Sequence, residues 1–133
     1  MKGRDAAPDL RGMRVLITDD SDIDAFILGA IIQAAGAGVD RARSGSEALK
    51  KFTDSCCGQY DVIFMDMHMP KMTGCEACLA IRGLNRPDAK TVPIFLVSSE
   101  PCPPYAPGFN SYISKPVDRN KIYPVIRKII KKL

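Results

Sequence analysis

Residues 61–66 read DVIFMD, an unbroken apolar run closed by a carboxylate, and this pattern decides the fold. Val62, Ile63, Phe64 and Met65 follow one another with no polar residue between them. A strand with one wet face alternates, whereas a strand covered on both faces reads as a short continuous apolar run. The same design recurs on either side: MRVLI (13–17) runs into Thr18, Asp19 and Asp20, PIFLV (93–97) into Ser98 and Ser99, and SYIS (111–114) into Lys115 and Pro116. Parallel strands place their C-terminal ends on one edge, where α/β sheets build their sites. Three carboxylates, a hydroxyl and an ammonium then meet in one small pocket. That set suits a divalent cation and a phosphoryl group.

The segments between these runs read as helices. Ser21, with Asp24 three residues on, opens one that carries Ile23, Phe26, Ile27, Ile31 and Ile32 at near-helical spacing and stops at Gly36 and Gly38. Residues 39–43 form a short, weakly apolar strand expected near an edge. Ser44 and Glu47 make a capping box for a helix through about residue 53. Residues 75–82 form a helix with Ala77, Cys78 and Ile81 as its apolar positions, and 85–90 are a polar connection. Asp118 caps a last helix with Ile122, Val125, Ile126, Ile129 and Ile130 on one stripe; Pro124 either kinks it or marks its first turn. Strand and helix alternate, which predicts a doubly wound α/β domain with right-handed crossovers. One interval breaks the pattern. Residues 100–108 hold four prolines, which remove four amide donors and predict a turn-rich loop in place of a helix.

At 133 residues the chain has the size of one domain, and 46% apolar content suffices for a core, which excludes a disordered chain. Residues 1–12 are expected to be a flexible N-terminal arm and 13–133 the domain. No apolar run approaches the roughly 20 residues of a membrane span. The five cysteines form no regular framework and their number is odd, so reduced thiols in the cytoplasm are expected. The net charge of +4 sits largely in Arg127, Lys128, Lys131 and Lys132. No aromatic residues interleave there, so a solvated helix face is expected and not a nucleic-acid surface.

Asp19, Asp20 and Asp66 have two readings. Singly, the first two fit a helix start and the third a solvent-facing turn. Together on one sheet edge they would repel unless a cation intervened. Mg2+ suits them, being hard, octahedral and oxygen-seeking. Phosphoryl transfer needs an electrostatic cradle more than acid–base chemistry, a carboxylate is a competent nucleophile, and Ser98 and Lys115 can hold phosphoryl oxygens.

VLITDD (15–20), DVIFMDMHMPKMTG (61–74), PIFLVSS (93–99) and YISKP (112–116) occur in the order and near the spacing of one family. With these motifs the chain resembles the receiver domain of two-component response regulators, stand-alone or within hybrid sensor histidine kinases. The resemblance implies a flavodoxin-like five-stranded parallel sheet of order 2-1-3-4-5, with the usual fourth helix missing or replaced by the proline-rich loop. It implies Asp66 as phosphoacceptor. Mg2+ would be held by Asp20, Asp66 and the backbone carbonyl of His68, with Asp19 acting mostly through water. Ser98 would be the switch hydroxyl, Lys115 the phosphate-sensing lysine and Tyr112 the switch aromatic, while His68 and Glu100 tune dephosphorylation. Such a domain takes its phosphoryl group from a histidine kinase or a histidine phosphotransfer domain and catalyses only its own phosphorylation and dephosphorylation. The shortened interval before Lys115 argues against carrying over the family's usual dimer, and the loop at 100–110 is expected to form its own partner surface.

A phosphorylation-independent binding module is the alternative. An aspartyl-phosphate phosphatase of the haloacid dehalogenase type needs a second Asp two residues after its nucleophile, and that position is His68. Cys75 and Cys78 spell Cys-x-x-Cys inside a helix, a poor setting for zinc without two further ligands. Met65, Met67, Met69 and Met72 crowd the acceptor loop and read as adaptable packing.

Overall fold

The computed structural model describes residues 7–100 and 106–132, and the side chains of all of these except 131 and 132. Ten elements follow one another: β1 (Arg14–Thr18), α1 (Asp22–Ala34), β2 (Gly38–Ala42), α2 (Gly45–Asp54), β3 (Val62–Asp66), α3 (Gly74–Arg82), α4 (Pro87–Thr91), β4 (Ile94–Ser98), β5 (Ser111–Ser114) and α5 (Arg119–Lys132). The strands form one parallel sheet of order β2-β1-β3-β4-β5, as expected.

Side-chain alternation along the central strands feeds two cores. Val15, Ile17, Val62, Phe64, Phe95 and Val97 pack with α1 and α5 on one face. Leu16, Ile63, Met65 and Ile94 pack with α2 and α3 on the other. Both β3 and β4 are buried at all five positions, which explains their lack of alternation.

Several expectations are corrected. In α1 the buried residues are Ala25, Leu28, Gly29 and Ile32, whereas Ile23 is 72% exposed, Phe26 75% and Ile27 42%. Positions 25, 28, 29 and 32 are also helical in period, so spacing alone did not separate the two faces. Residues 85–90 are not a plain connection. Pro87 opens the short α4, and Arg86 before it donates from Nη1 to the carbonyls of Phe52 and Ser55, both at 3.0 Å, capping the end of α2. The guanidinium also lies 4.7 Å from the centroid of the Phe52 ring. The capping box proper belongs to Thr73 and Glu76 at α3, while Glu47 reaches back to the N–H of Arg43. Pro124 sits inside α5.

Leu10 falls within the expected N-terminal arm of residues 1–12. Leu10 is fully buried, and its N–H donates to the carbonyl of Ala35 at 2.8 Å, because the turn after α1 leaves an apolar socket beside β1. Residues 1–6 lie outside the described residues.

No helix joins β4 to β5 among the described residues. Residues 101–105, the centre of the expected proline-rich loop, lie outside them. Residues 106–110 turn inward onto α3, where Arg82 donates to the Gly108 carbonyl at 2.8 Å and to Asn110 Oδ1 at 3.0 Å. No helix among the described residues is long and apolar enough to cross a membrane.

Two substitutions test this packing. Leu10→Ala is expected to cost about 2–3 kcal/mol in urea denaturation if the segment before β1 is part of the core. Thr18 is buried and its hydroxyl has no hydrogen-bond partner among the described residues. Thr18→Val, nearly isosteric, should therefore raise stability by about 1 kcal/mol in the same measurement.

Candidate functional site

The site is a consequence of strand register. Thr18 of β1 lies beside Met65 of β3, so the residues that follow, Asp19 and Asp66, leave the sheet side by side. Asp66 is level with Val97 of β4, which puts Ser98 at the same edge. Ser98 pairs with Ser114 of β5, and the ladder extends to Lys115, whose N–H donates to the Ser98 carbonyl at 2.9 Å. Four separate stretches of chain are thereby brought to one place.

Carboxylate oxygens of Asp19, Asp20 and Asp66 all lie within 4.8 Å of one another. Asp19 and Asp66 are buried and Asp20 is exposed, so the cluster opens to solvent on one side. Lys115 faces it, with its Nζ 3.1 Å from Asp19 Oδ2, 3.1 Å from Asp66 Oδ1 and 2.9 Å from Asp24 Oδ2. Burial pushes the Asp66 carboxyl above its ordinary value, and the charge on Asp19 pushes the same way, against the hydrogen bond from Lys115. Burial also opposes the charge on Lys115, but its bonds to Asp24, Asp19 and Asp66 outweigh that and hold its pKa above the usual lysine value. One ammonium shared among three carboxylates leaves a net negative pocket. The donor set is therefore all oxygen, crowded and partly open, which fits a hard divalent cation that retains waters.

Local structure holds the pieces still. The Asp19 Oδ1 accepts the N–H of Ser21 at 2.9 Å, and the Ser21 hydroxyl in turn accepts the N–H of Asp24. Gly74, the first residue of α3, donates to the Met67 carbonyl at 2.9 Å. A Cβ at Gly74 would stand 2.3 Å from the Asp66 carbonyl oxygen, so only glycine permits this approach behind the acidic strand end.

The remaining expected residues also gather here. Ser98 is buried, and its hydroxyl accepts the N–H of Glu100 at 3.1 Å. The Tyr112 hydroxyl donates to the carbonyls of Ser98, at 3.3 Å, and Glu100. His68 Nε2 lies 3.1 Å from Glu100 Oε1, both side chains well exposed beside the pocket.

Two residues escaped the sequence reading. Asp24 was legible only as a helix-start residue, although side chains in a first helical turn lean back toward the N-terminus and here toward the strand edge. Arg41 donates from Nη2 to the Asp19 carbonyl at 2.7 Å and from Nη1 to Asp22 at 2.7 Å. Nothing in a short polar strand announces that cross-connection. In the Cys-x-x-Cys pair, Cys78 is buried, its thiol pushed up to about 11 by that burial, and Cys75 Sγ rests 3.7 Å from Met67 Sδ. Met65 and Met69 are core residues, with Met72 packed against them.

Residues 15–127 match the model of the family described as the response regulator receiver domain. The chain belongs to this family. It is 34% identical over 123 residues to "Two-component response regulator ORR41" of Oryza sativa subsp. japonica, an alignment covering 87% of this receiver and 93% of that protein. It is 33% identical over 123 residues to "Hybrid signal transduction histidine kinase L" of Dictyostelium discoideum, covering 86% of this receiver but 7% of the kinase. Among solved structures, a chain of the CheX–CheY–BeF3–Mg2+ complex from Borrelia burgdorferi superimposes with a TM-score of 0.81 at 25% identity, with 90% of each chain covered. The chain is thus a receiver of two-component signalling, with the phosphoacceptor role of that family.

The raised titration of Asp66 has a measurable consequence. The unfolded carboxyl titrates at 3.8, and the folded one higher. The ionised folded form is the disfavoured one, so the penalty is absent below the unfolded value and complete above the folded one. Asp66→Asn keeps an acceptor for Lys115 and removes the charge. In metal-free buffer, thermal melts of the variant and the wild type should coincide near pH ~3.5 and separate toward pH ~7, with the variant melting higher.

Proposed function

We propose that Asp66 accepts a phosphoryl group, in the cytoplasm, from the phosphohistidine of a histidine kinase or a histidine phosphotransfer domain. The convergence of three carboxylates with Lys115 at 3.1 Å from Asp66 Oδ1 carries this reading. An Asp66 oxygen forms the new bond to phosphorus as the phosphorus–nitrogen bond breaks, and the leaving imidazole takes up a proton. Mg2+, present in the Borrelia complex, fits the carboxylates of Asp19, Asp20 and Asp66 with the His68 carbonyl, and would screen the charge that accumulates during transfer.

Each neighbour has a role in this scheme. Lys115 stays beside Asp66 and pairs with a phosphoryl oxygen. Ser98 turns its hydroxyl toward another, giving up the Glu100 N–H it accepts in this structure. Because Tyr112 is bonded to the carbonyls of Ser98 and Glu100, a shift of that loop moves the ring as well. The switch is a change in the populations of two packings, driven by the contacts that differ between them. His68 and Glu100 flank the approach of water and set the lifetime of the phosphoryl group. The donor docks on α1, where Ile23, Phe26 and Ile27 form an exposed apolar face. Ile27 lines the same cleft as Asp19 and Lys115, so this face runs up to the acceptor.

Incubation with Mg2+ and acetyl phosphate is expected to add one base-labile phosphoryl group to the wild type and none to Asp66→Asn, read by intact-mass spectrometry. EDTA should suppress the labelling. Undiminished labelling of Asp66→Asn would overturn the assignment, and a wild type that takes no label would favour a phosphorylation-independent binding module.

A further inference from the structure

Asp24 stands closer to Lys115 than either of the carboxylates on the strand ends. Its Oδ2 is 2.9 Å from Nζ, against 3.1 Å for both Asp19 and Asp66. An ammonium carries three N–H groups, and three carboxylates surround this one. The three acceptors differ in position. Asp19 and Asp66 are buried at the strand ends, whereas the Asp24 side chain is 42% exposed on the first turn of α1. Asp24 is therefore the most solvent-exposed of the three carboxylates that contact the ammonium. Lys115 borders a cavity of about 40 Å³ whose lining combines Asp19 and Asp24 with Ile27, Leu28, Val97 and Val117. The rest of that lining is apolar, so the polar side-chain contacts that place the ammonium are those with the three carboxylates.

We infer that Asp24 is a positioning residue that holds the Lys115 ammonium toward α1 and restrains phosphorylation of Asp66 by small anionic donors. This rests on Asp66 being the acceptor. When Asp66 becomes an acyl phosphate its carboxylate charge is lost, and the new phosphoryl oxygens must draw on the N–H groups of Lys115. Asp24 competes for one of them. It also sets a negative charge in the path of an incoming dianion. Both effects act in the same direction, and both vanish in Asp24→Asn, which retains the side-chain shape. The contact also ties the lysine to the helix that bears Ile23, Phe26 and Ile27, so a partner seated on that face would reach the ammonium through one turn of α1.

The test pairs a chemical readout with a kinetic one. Reductive methylation of Lys115, followed by peptide mass spectrometry, reports how firmly the amine is held, whether or not the receiver is phosphorylated. Asp24→Asn and Asp24→Ser are each expected to methylate Lys115 about two- to fivefold faster than the wild type, the range of a partly exposed ion pair. With acetyl phosphate and Mg2+, the same variants should show a KM for the donor lowered by about two- to fivefold. Asp54→Asn, which removes an equal charge at the far end of α2, should change neither. Unaltered methylation, or slower phosphorylation in both Asp24 variants while Asp66→Asn still abolishes labelling, would overturn the role of Asp24 and leave the acceptor assignment standing. Wild-type protein that takes no label on Asp66 would instead overturn the acceptor assignment, and the methylation arm would still decide whether Asp24 holds the lysine.

Discussion

A single ammonium stands against more negative charge than it can neutralise. Lys115 contacts Asp19, Asp24 and Asp66, and Asp20 lies at the edge of the same cluster. Such a pocket is under-compensated, and the charge of Asp19 adds to the burial that pushes the Asp66 carboxyl up. A fold can tolerate this only where rigid elements impose it. The excess negative charge is also what makes the pocket receptive to a divalent cation.

The imposition comes from the sheet. Neighbouring parallel strands in fixed register leave no choice about where residues 19, 66, 98 and 115 emerge. The two apolar cores hold that register, since a slip by one residue would send each buried strand's side chains to the opposite face. Smaller devices complete it. Gly74 lets α3 close on the acidic strand end, and Arg41 grips the Asp19 carbonyl from β2. The absence of a helix between β4 and β5 among the described residues leaves this apparatus intact, because Arg82 and Asn110 seal residues 106–110 against α3 by hydrogen bonds instead.

Much of the site was legible because its chemistry is written at strand ends. Asp19, Asp20, Asp66, Ser98 and Lys115 each follow an apolar run, and a reader needs only the parallel order to bring them together. The illegible parts have separate causes. Which face of α1 is buried depends on how close that helix lies to β1, and two faces of nearly equal periodicity compete for it. Of the expected stripe Ile32 went inside, beside Ala25, Leu28 and Gly29, while Ile23 and Phe26 stayed out. Leu10 was hidden by its polar surroundings, and Arg86 by the distance in sequence to the helix end it caps.

The sequence by itself determined the strands, their order of chemistry and the character of the pocket, because run length, residue type and strand-end position are local properties. Tertiary structure alone decided that α1 turns an apolar face to solvent beside the pocket, that Asp24 joins the ring around Lys115, and that His68 meets Glu100. Those outcomes depend on distances between elements, set by packing over the whole sheet, which no local pattern encodes.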